Sequence, residues 1–315
     1  MREYALRRIL TMVPVLFIIS IISFSLLFIL PGDPALAMLG EDVGDEAAYE
    51  AIRKELGLDR PVWVQYGSWL SRTMQGDLGT SIRTREPVSE ILLSRLPITM
   101  YYGFAGLLLG TVIGISVAIV SALRPGSRID AFGTVLAMGG VAIPSFWLAL
   151  LLMYVFALIL GWLPPSGYVS PFQDVTASAK LLIMPAIVLG TGSAAVIMRQ
   201  ARSALIEVMA QDYITTARSR GLAERLVIWR HALKNAMIPV LTILGLQVGN
   251  LVNGAVITET VFAIPGVGRT TVDAIFFRDF PVLQGAVLML TFAVLLANLV
   301  TDLAYGYVDP RIRYR

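Results

Sequence analysis

The sequence predicts an all-α polytopic membrane protein with six transmembrane helices, on three observations. The 315 residues are 56% hydrophobic and 15% charged, against roughly 25% charged in a soluble domain of this length. Six apolar stretches, 9–30, 98–123, 131–160, 181–198, 236–258 and 282–304, lie near the roughly 20 residues that a span needs. Basic residues also gather on alternate connections between these stretches, as a fixed topology requires.

With the N-terminus inside, Arg2, Arg7, Arg8, Arg124, Arg128, seven bases between 199 and 235, and Arg311, Arg313 and Arg315 share one side. In the short connections, only Lys180, Arg269 and Arg278 fall on the other. The remaining bases lie in 31–97, a segment long enough to be exempt from the rule. Both termini are expected inside.

The first element is an N-terminal transmembrane helix within 1–30. Met1–Arg8 resembles a signal-peptide start and Ala35-Leu36-Ala37 a cleavage site. An apolar run of about 22 residues exceeds the 7–15 of a signal core, so a retained helix is expected. Residues 31–97 form an extracytoplasmic segment opening with Pro31-Gly32-Asp33-Pro34, a helix stop. Within it, Asp45–Leu58 reads as a short amphipathic helix. Trp63, Tyr66 and Trp69 follow, either as interfacial aromatics or as a partner surface.

Residues 98–304 form a five-helix transmembrane core. Gly106, Gly110 and Gly114 make a repeated GxxxG that lets helix backbones approach. Pro144 is expected to break the long stretch 131–160, and the freed carbonyl is met by neighbouring helices or by water in a pathway. Pro185 and Gly190 are expected to weaken the short fourth span. The fifth is the most polar, with Gln247, Asn250 and Asn253 on a slowly drifting stripe. Such a stripe faces a cavity or hydrogen-bonds between helices. Glu259, near the outer end, is expected to be hydrated. Asn298 and Asp302 share a face at i, i+4, with Asp302 in reach of the basic tail, 305–315.

Composition excludes several chemistries. Cysteine is absent and His231 is the one histidine, so disulfides, thiolate metal sites and His-rich zinc sites are out. There is no GxxxxGK[ST], GxSxG or HExxH. No catalytic or metal-ligating residue is assigned, and nothing calls for a cofactor in this chain or for nucleic acid. An ion-coupled secondary solute carrier is the alternative reading. Broken helices suit it, but no carboxylate or lysine lies at mid-membrane depth, where such carriers use one.

The stretch Arg199–Asn235 does not look like membrane. It carries seven bases against Glu207, Asp212 and Glu224, and it is too long for a simple turn. Leu205, Val208 and Met209 mark one helical face, and Ile214, Ala217 and Leu222 another. Gly221 suits a helix C-terminus. The run Asp212-Tyr213, Thr215-Thr216-Ala217-Arg218, Gly221, His231-Ala232-Leu233-Lys234-Asn235-Ala236 and Ile238-Pro239 resembles the EAA loop of permease subunits from bacterial ABC importers. Thr215-Thr216 stands where that motif has Glu-Ala, and the proline lies further from the glycine; both departures are usual in the dipeptide/oligopeptide/nickel branch. Glu259-Thr260-x-Phe262-x2-Pro265-Gly266-x-Gly268, Arg278-Asp279-x-Pro281-x2-Gln284-Gly285 and Asp309-Pro310-Arg311-Ile312-Arg313-Tyr314 resemble that branch too.

The resemblance implies a type I importer-like fold with a cytoplasmic coupling helix at roughly Asp212–Gly221. It assigns ATPase coupling to Asp212, Tyr213, Thr216, Ala217, Arg218, Arg220 and Gly221; the candidate translocation pathway, Gln247, Asn250, Asn253 and Pro144, is read instead from the polar stripe and the proline break at membrane depth. The implied partners are a second homologous permease, two ABC ATP-binding subunits carrying ATP and Mg, an extracytoplasmic solute-binding protein and the lipid bilayer. The implied setting is a prokaryotic inner membrane. The implied cargo is a short peptide or a related small solute.

Overall fold

The computed structural model describes residues 2–29, 46–55 and 58–308, with side chains described except at 2–5, 48, 51, 52, 55, 250–253 and 304–308. The Pro31 turn, the cleavage-like Ala35-Leu36-Ala37 and the basic residues of the tail lie outside the described residues. Regular structure among the described residues is helical, apart from one isolated bridge between Thr80 and Pro87. The helices are α1 (Arg2–Ile29), α2 (Glu46–Glu55), α3 (Val62–Met74), α4 (Val88–Ala122), α5 (Arg128–Ala142) and α6 (Ser145–Leu152), the last continued by a π-helical segment, Met153–Ile159. Then come α7 (Val175–Met209) and α8 (Asp212–Ser219). One turn, Glu224–Leu226, and a π-helical segment, Val227–Ala232, lead into α9 (Leu233–Val261), followed by α10 (Val267–Phe276) and α11 (Phe280–Val308).

Among the described residues, five helical stretches are long and apolar enough to cross a membrane: Leu6–Ile29, Val88–Ala122, Val175–Met209, Glu224–Gly249 and Phe280–Leu303. The sixth expected span is the bent pair Arg128–Ala142 and Ser145–Ile159, which meet at 104°. The break falls at Ile143-Pro144, as expected. Proline has no N–H to donate, and the residue before it is pushed out of the helical region. Ile143 accordingly sits at ψ 122 and Pro144 caps α6 from outside it.

Several expected boundaries shift. The fourth span is not short: α7 runs unbroken for 35 residues through a buried Pro185. α4 begins at Val88, so that it takes in the last ten residues of the expected external segment, 31–97, and carries Pro97 inside it. The tail region begins helical, because α11 continues to Val308.

The chain divides into two compact units. One comprises 100–264 and 296–315. Within it α4 and α7 approach closely. A Cβ on Gly110 would stand 2.6 Å from the Gly190 carbonyl oxygen, and one on Gly190 would stand 2.8 Å from the Gly106 oxygen. Gly190 therefore does not weaken α7; it lets the backbones touch. Asp174 caps α7, accepting from the amides of Thr176 at 2.8 Å and Ala177 at 2.9 Å. On α11, Thr301 Oγ1 donates to the Gly245 carbonyl of α9 at 3.2 Å. The Asn298 Oδ1 lies 2.6 Å from where a Gly249 Cβ would be. Glu259 is 1% exposed, so the expectation that it is hydrated fails.

The other unit comprises 2–99 and 265–295. Here α3 lies along α1: the Phe24 ring meets Tyr66 at 5.4 Å and Trp69 at 5.6 Å. The Tyr66 hydroxyl bonds Ser20 Oγ at 2.8 Å. Two of the three aromatics thus pack internally, while Trp63 is 76% exposed. Ser23 Oγ donates to the Gln284 carbonyl at 3.0 Å, tying α1 to α11 inside an apolar environment. Asp279, buried, accepts from Ser81 Oγ at 2.5 Å and from the amides of Ile82 at 3.2 Å and Arg83 at 3.4 Å. The Arg83 guanidinium lies 3.7 Å over the Phe277 ring. One carboxylate so organises the whole Ser81–Arg83 turn.

Two outcomes are expected. Gly110→Leu forces α4 off α7 and costs about 1–3 kcal/mol, read as a melting temperature lowered by several degrees in detergent. Gly192→Ala, which meets nothing within 4 Å, leaves it unchanged, and an unshifted Gly110→Leu would refute the contact. Asp279→Ala releases the Ser81–Arg83 turn, so amide exchange at Ile82 and Arg83 accelerates about tenfold or more, as loss of about 1–3 kcal/mol requires.

Candidate functional site

The basic stretch 199–235 is not a loop of one kind. Its first third is the end of α7, and its last third, from Glu224, enters the next span. Between them stands α8, eight residues long, with its boundaries close to the expected Asp212–Gly221.

The two apolar faces read from sequence meet each other. Leu205 of α7, Ile214 and Ala217 of α8, Val227 and Ala232 of the π-helical segment, and Ala236 of α9 form one buried cluster. Val208, Met209 and Leu222 pack against it. The opposite face of α8 presents Asp212, Tyr213, Thr215, Thr216, Ser219 and Arg220 to the exterior. Ala217 therefore belongs to the chain's own packing and not to the outward face, and its small size serves the cluster.

The end of α8 is a Schellman motif. Gly221 has φ +76, its amide donates to the Arg218 carbonyl at 2.9 Å, and the Leu222 amide donates to the Ala217 carbonyl at 3.4 Å. A left-handed residue at this position is what turns the chain, and glycine adopts it without steric cost. Leu222 adds the apolar contact that accompanies the motif.

Two side-chain bonds brace the helix. Arg218 reaches over the turn to Glu224 with Nε–Oε2 at 3.1 Å and Nη2–Oε1 at 2.7 Å. That hydrogen bonding raises the arginine pKa further above its ordinary value. Asn235 Nδ2 donates to the Tyr213 hydroxyl at 2.7 Å, joining α8 to the start of α9. Neither Glu224 nor Asn235 was singled out as a brace in the sequence. Their partners lie 6 and 22 residues away, outside the i, i+4 spacing that a helix pattern reveals.

The expected pathway residues are only partly brought together. Pro144 is exposed at the bend between α5 and α6. Gln247 on α9 is half-buried and makes a polar interaction. The side chains of Asn250 and Asn253 lie outside the described residues. Among the described residues, no group of three or more His, Asp or Glu could hold a metal ion.

Comparison with known proteins bears on this arrangement. Residues 110–314 match the family described as binding-protein-dependent transport system inner membrane component, and residues 1–102 match its N-terminal companion. The chain is 41% identical over its full length to the full-length dipeptide transport system permease protein DppB of Alkalihalophilus pseudofirmus. It is 38% identical, again with all of both chains covered, to the di/tripeptide transport system permease protein DppB of Pseudomonas aeruginosa. In fold it is similar to the inward-facing MetNI methionine ABC transporter, with a TM-score of 0.58 and 18% identity over 70% of this chain and 96% of that one. With a helix bundle of membrane-spanning length and matches that run end to end, the chain belongs to the binding-protein-dependent transport system inner membrane component family, as a membrane permease subunit of an ABC importer.

Proposed function

We propose that this permease imports short peptides, pairs with a second homologous permease, and is driven by two ATP-binding subunits that grip α8. The observation that carries the reading is the two-sided character of α8. Its back is welded into the core cluster through Ile214 and Ala217, and its front exposes Asp212, Tyr213, Thr216 and Arg220. A helix that served only to connect two spans would not need a rigid back and an exposed polar front. The dipeptide and di/tripeptide relatives support the cargo class.

In this reading α8 lies in the cytoplasm with both termini, and an extracytoplasmic solute-binding protein delivers cargo to the opposite side of a prokaryotic inner membrane. Residues 1–30 serve as the N-terminal span, 31–97 as the extracytoplasmic segment up to the start of α4, 98–304 as the core with its coupling stretch, and 305–315 as the tail. ATP and Mg reside on the partner subunits. This chain supplies a solid lever: closure of the ATPase pair moves α8, and α7 and α9 move with it because one cluster fixes all three. Gln247, Asn250 and Asn253 on α9, with Pro144 at the bend, line the path that opens.

The test is reconstitution. The chain, purified in mild detergent, is expected to bring a second permease and ATPase subunits with it, and vesicles containing the assembly are expected to take up dipeptide only with ATP. Uptake driven by a proton gradient without ATP would overturn the reading in favour of an ion-coupled carrier.

Two variants probe the roles. A side chain at Gly221 meets nothing within 4 Å, so Gly221→Trp inserts and assembles its spans while its ring obstructs the docking face; uptake falls to background. Gly221→Ala incurs only the left-handed strain of about 1–2 kcal/mol and retains uptake, which separates shape from strain. Normal uptake in the tryptophan variant would remove α8 from coupling. Gln247→Leu is expected to change uptake with the melting temperature unaltered; the reverse pattern would make Gln247 a packing residue.

A further inference from the structure

Arg202, one of the seven bases of the central stretch, is not a surface charge. It lies on the last turns of α7 and grips Asp130 on the first turn of α5 with both ends of its fork, Nε–Oδ1 and Nη2–Oδ2 each at 2.6 Å. Asp130 is 4% exposed. Its Oδ2 also accepts the Gly126 amide at 2.9 Å, and its own amide donates to Ser127 Oγ at 3.2 Å. The carboxylate thus fixes the whole 126–130 turn and, through Arg202, fastens that turn to α7 just ahead of α8.

We propose that the Asp130–Arg202 pair is a strut that transmits displacement of α8 to the bent span α5–α6. Three features point this way. The pair joins the base of α5 to the same end of α7 that carries α8, so a push on α8 reaches the base of α5 through a rigid, two-point contact, beside the apolar packing of Ala137 against α7 further along. A bidentate arginine–carboxylate bond resists both sliding and rotation, which a single-point lysine bond would not. Finally, α5 ends at Ile143-Pro144, where the 104° bend lacks a continuous hydrogen-bond ladder and offers the nearest place for a push on α5 to become a change of angle. Asp130 and Arg202 are positioning residues: they touch no cargo and act through Pro144 and the helices on either side of it.

The proposal rests on the coupling role given to α8. The measured quantity is uptake per ATP hydrolysed by the full assembly in vesicles. The wild-type assembly tests the parent reading by itself, since absence of ATP-driven uptake there would sink that reading and not the strut. Given wild-type coupling, Asp130→Asn and Arg202→Gln are each expected to lower the ratio about tenfold with hydrolysis within about twofold, and the double variant to fall no further, as one shared contact requires. Losses that multiply in the double variant, or a melting temperature that drops while the ratio stays at wild type, would overturn the strut. Arg202→Lys covers the case in which the neutral variants fail to assemble. It keeps the charge and loses the fork, so a loss of about threefold is expected, and a wild-type ratio would overturn the proposal.

Discussion

Two helices in hydrocarbon gain little from burying apolar surface against each other, because lipid tails are just as apolar. What holds α4 to α7 must therefore come from closeness of approach. Gly106 and Gly110 on one helix leave room for Leu189 and for the backbone at Gly190 on the other, and the backbones come within distances that a single methyl group at Gly110 or Gly190 would forbid. Dispersion between two bare backbones is the reward, since it falls off steeply with any gap. The polar groups of both helices stay satisfied within their own ladders, as a lipid environment demands.

That contact sets a platform for the length of α7. Thirty-five residues at 1.5 Å each give about 50 Å, against a hydrocarbon core of about 30 Å. Even with tilt, several turns of α7 project beyond the bilayer. The overshoot is where Ala204, Leu205, Val208 and Met209 find Ile214 and Ala217 of α8. An eight-residue helix has no stability of its own in water, so α8 exists because the projecting end of α7 and the start of α9 give its apolar back somewhere to pack. The Gly221 turn and the Arg218–Glu224 bridge then fix where it ends.

Much of this was legible in the sequence, for identifiable reasons. Apolar stretches of membrane length, the GxxxG run and the Ile143-Pro144 break each follow from local rules that operate within a few residues. So does the helix stop at Gly221. What was not legible depended on distant partners. Pro185 and Gly190 read as weak points because the stretch alone does not reveal that α4 presents glycines opposite them. Glu259 read as hydrated because its depth depends on neighbours far along the chain. The basic stretch read as one loop because charge was taken to mark water, although Arg202 was satisfied by a carboxylate 72 residues away. A hint lay in Ser127-x-x-Asp130, which has the spacing of a capping box and marks the start of α5.

The electrostatic character of α8 also changes. In sequence the segment is basic, which suggests steering by an acidic groove. In the folded chain Arg202 is taken by Asp130 and Arg218 by Glu224. On the outward face there remain Asp212 and Arg220, of opposite sign, with Tyr213, Thr215, Thr216 and Ser219 between them. Exposed Arg225, Arg230 and Lys234 keep the stretch after α8 basic, and attraction from such charges is damped within about 10 Å by salt. In the proposed coupling role, recognition of such a face also draws on fit: a tyrosine, small hydroxyls and a glycine exit offer a shape that a groove can match. A rigid backing matters to such a fit, because a shape is recognised only while it keeps its form under load.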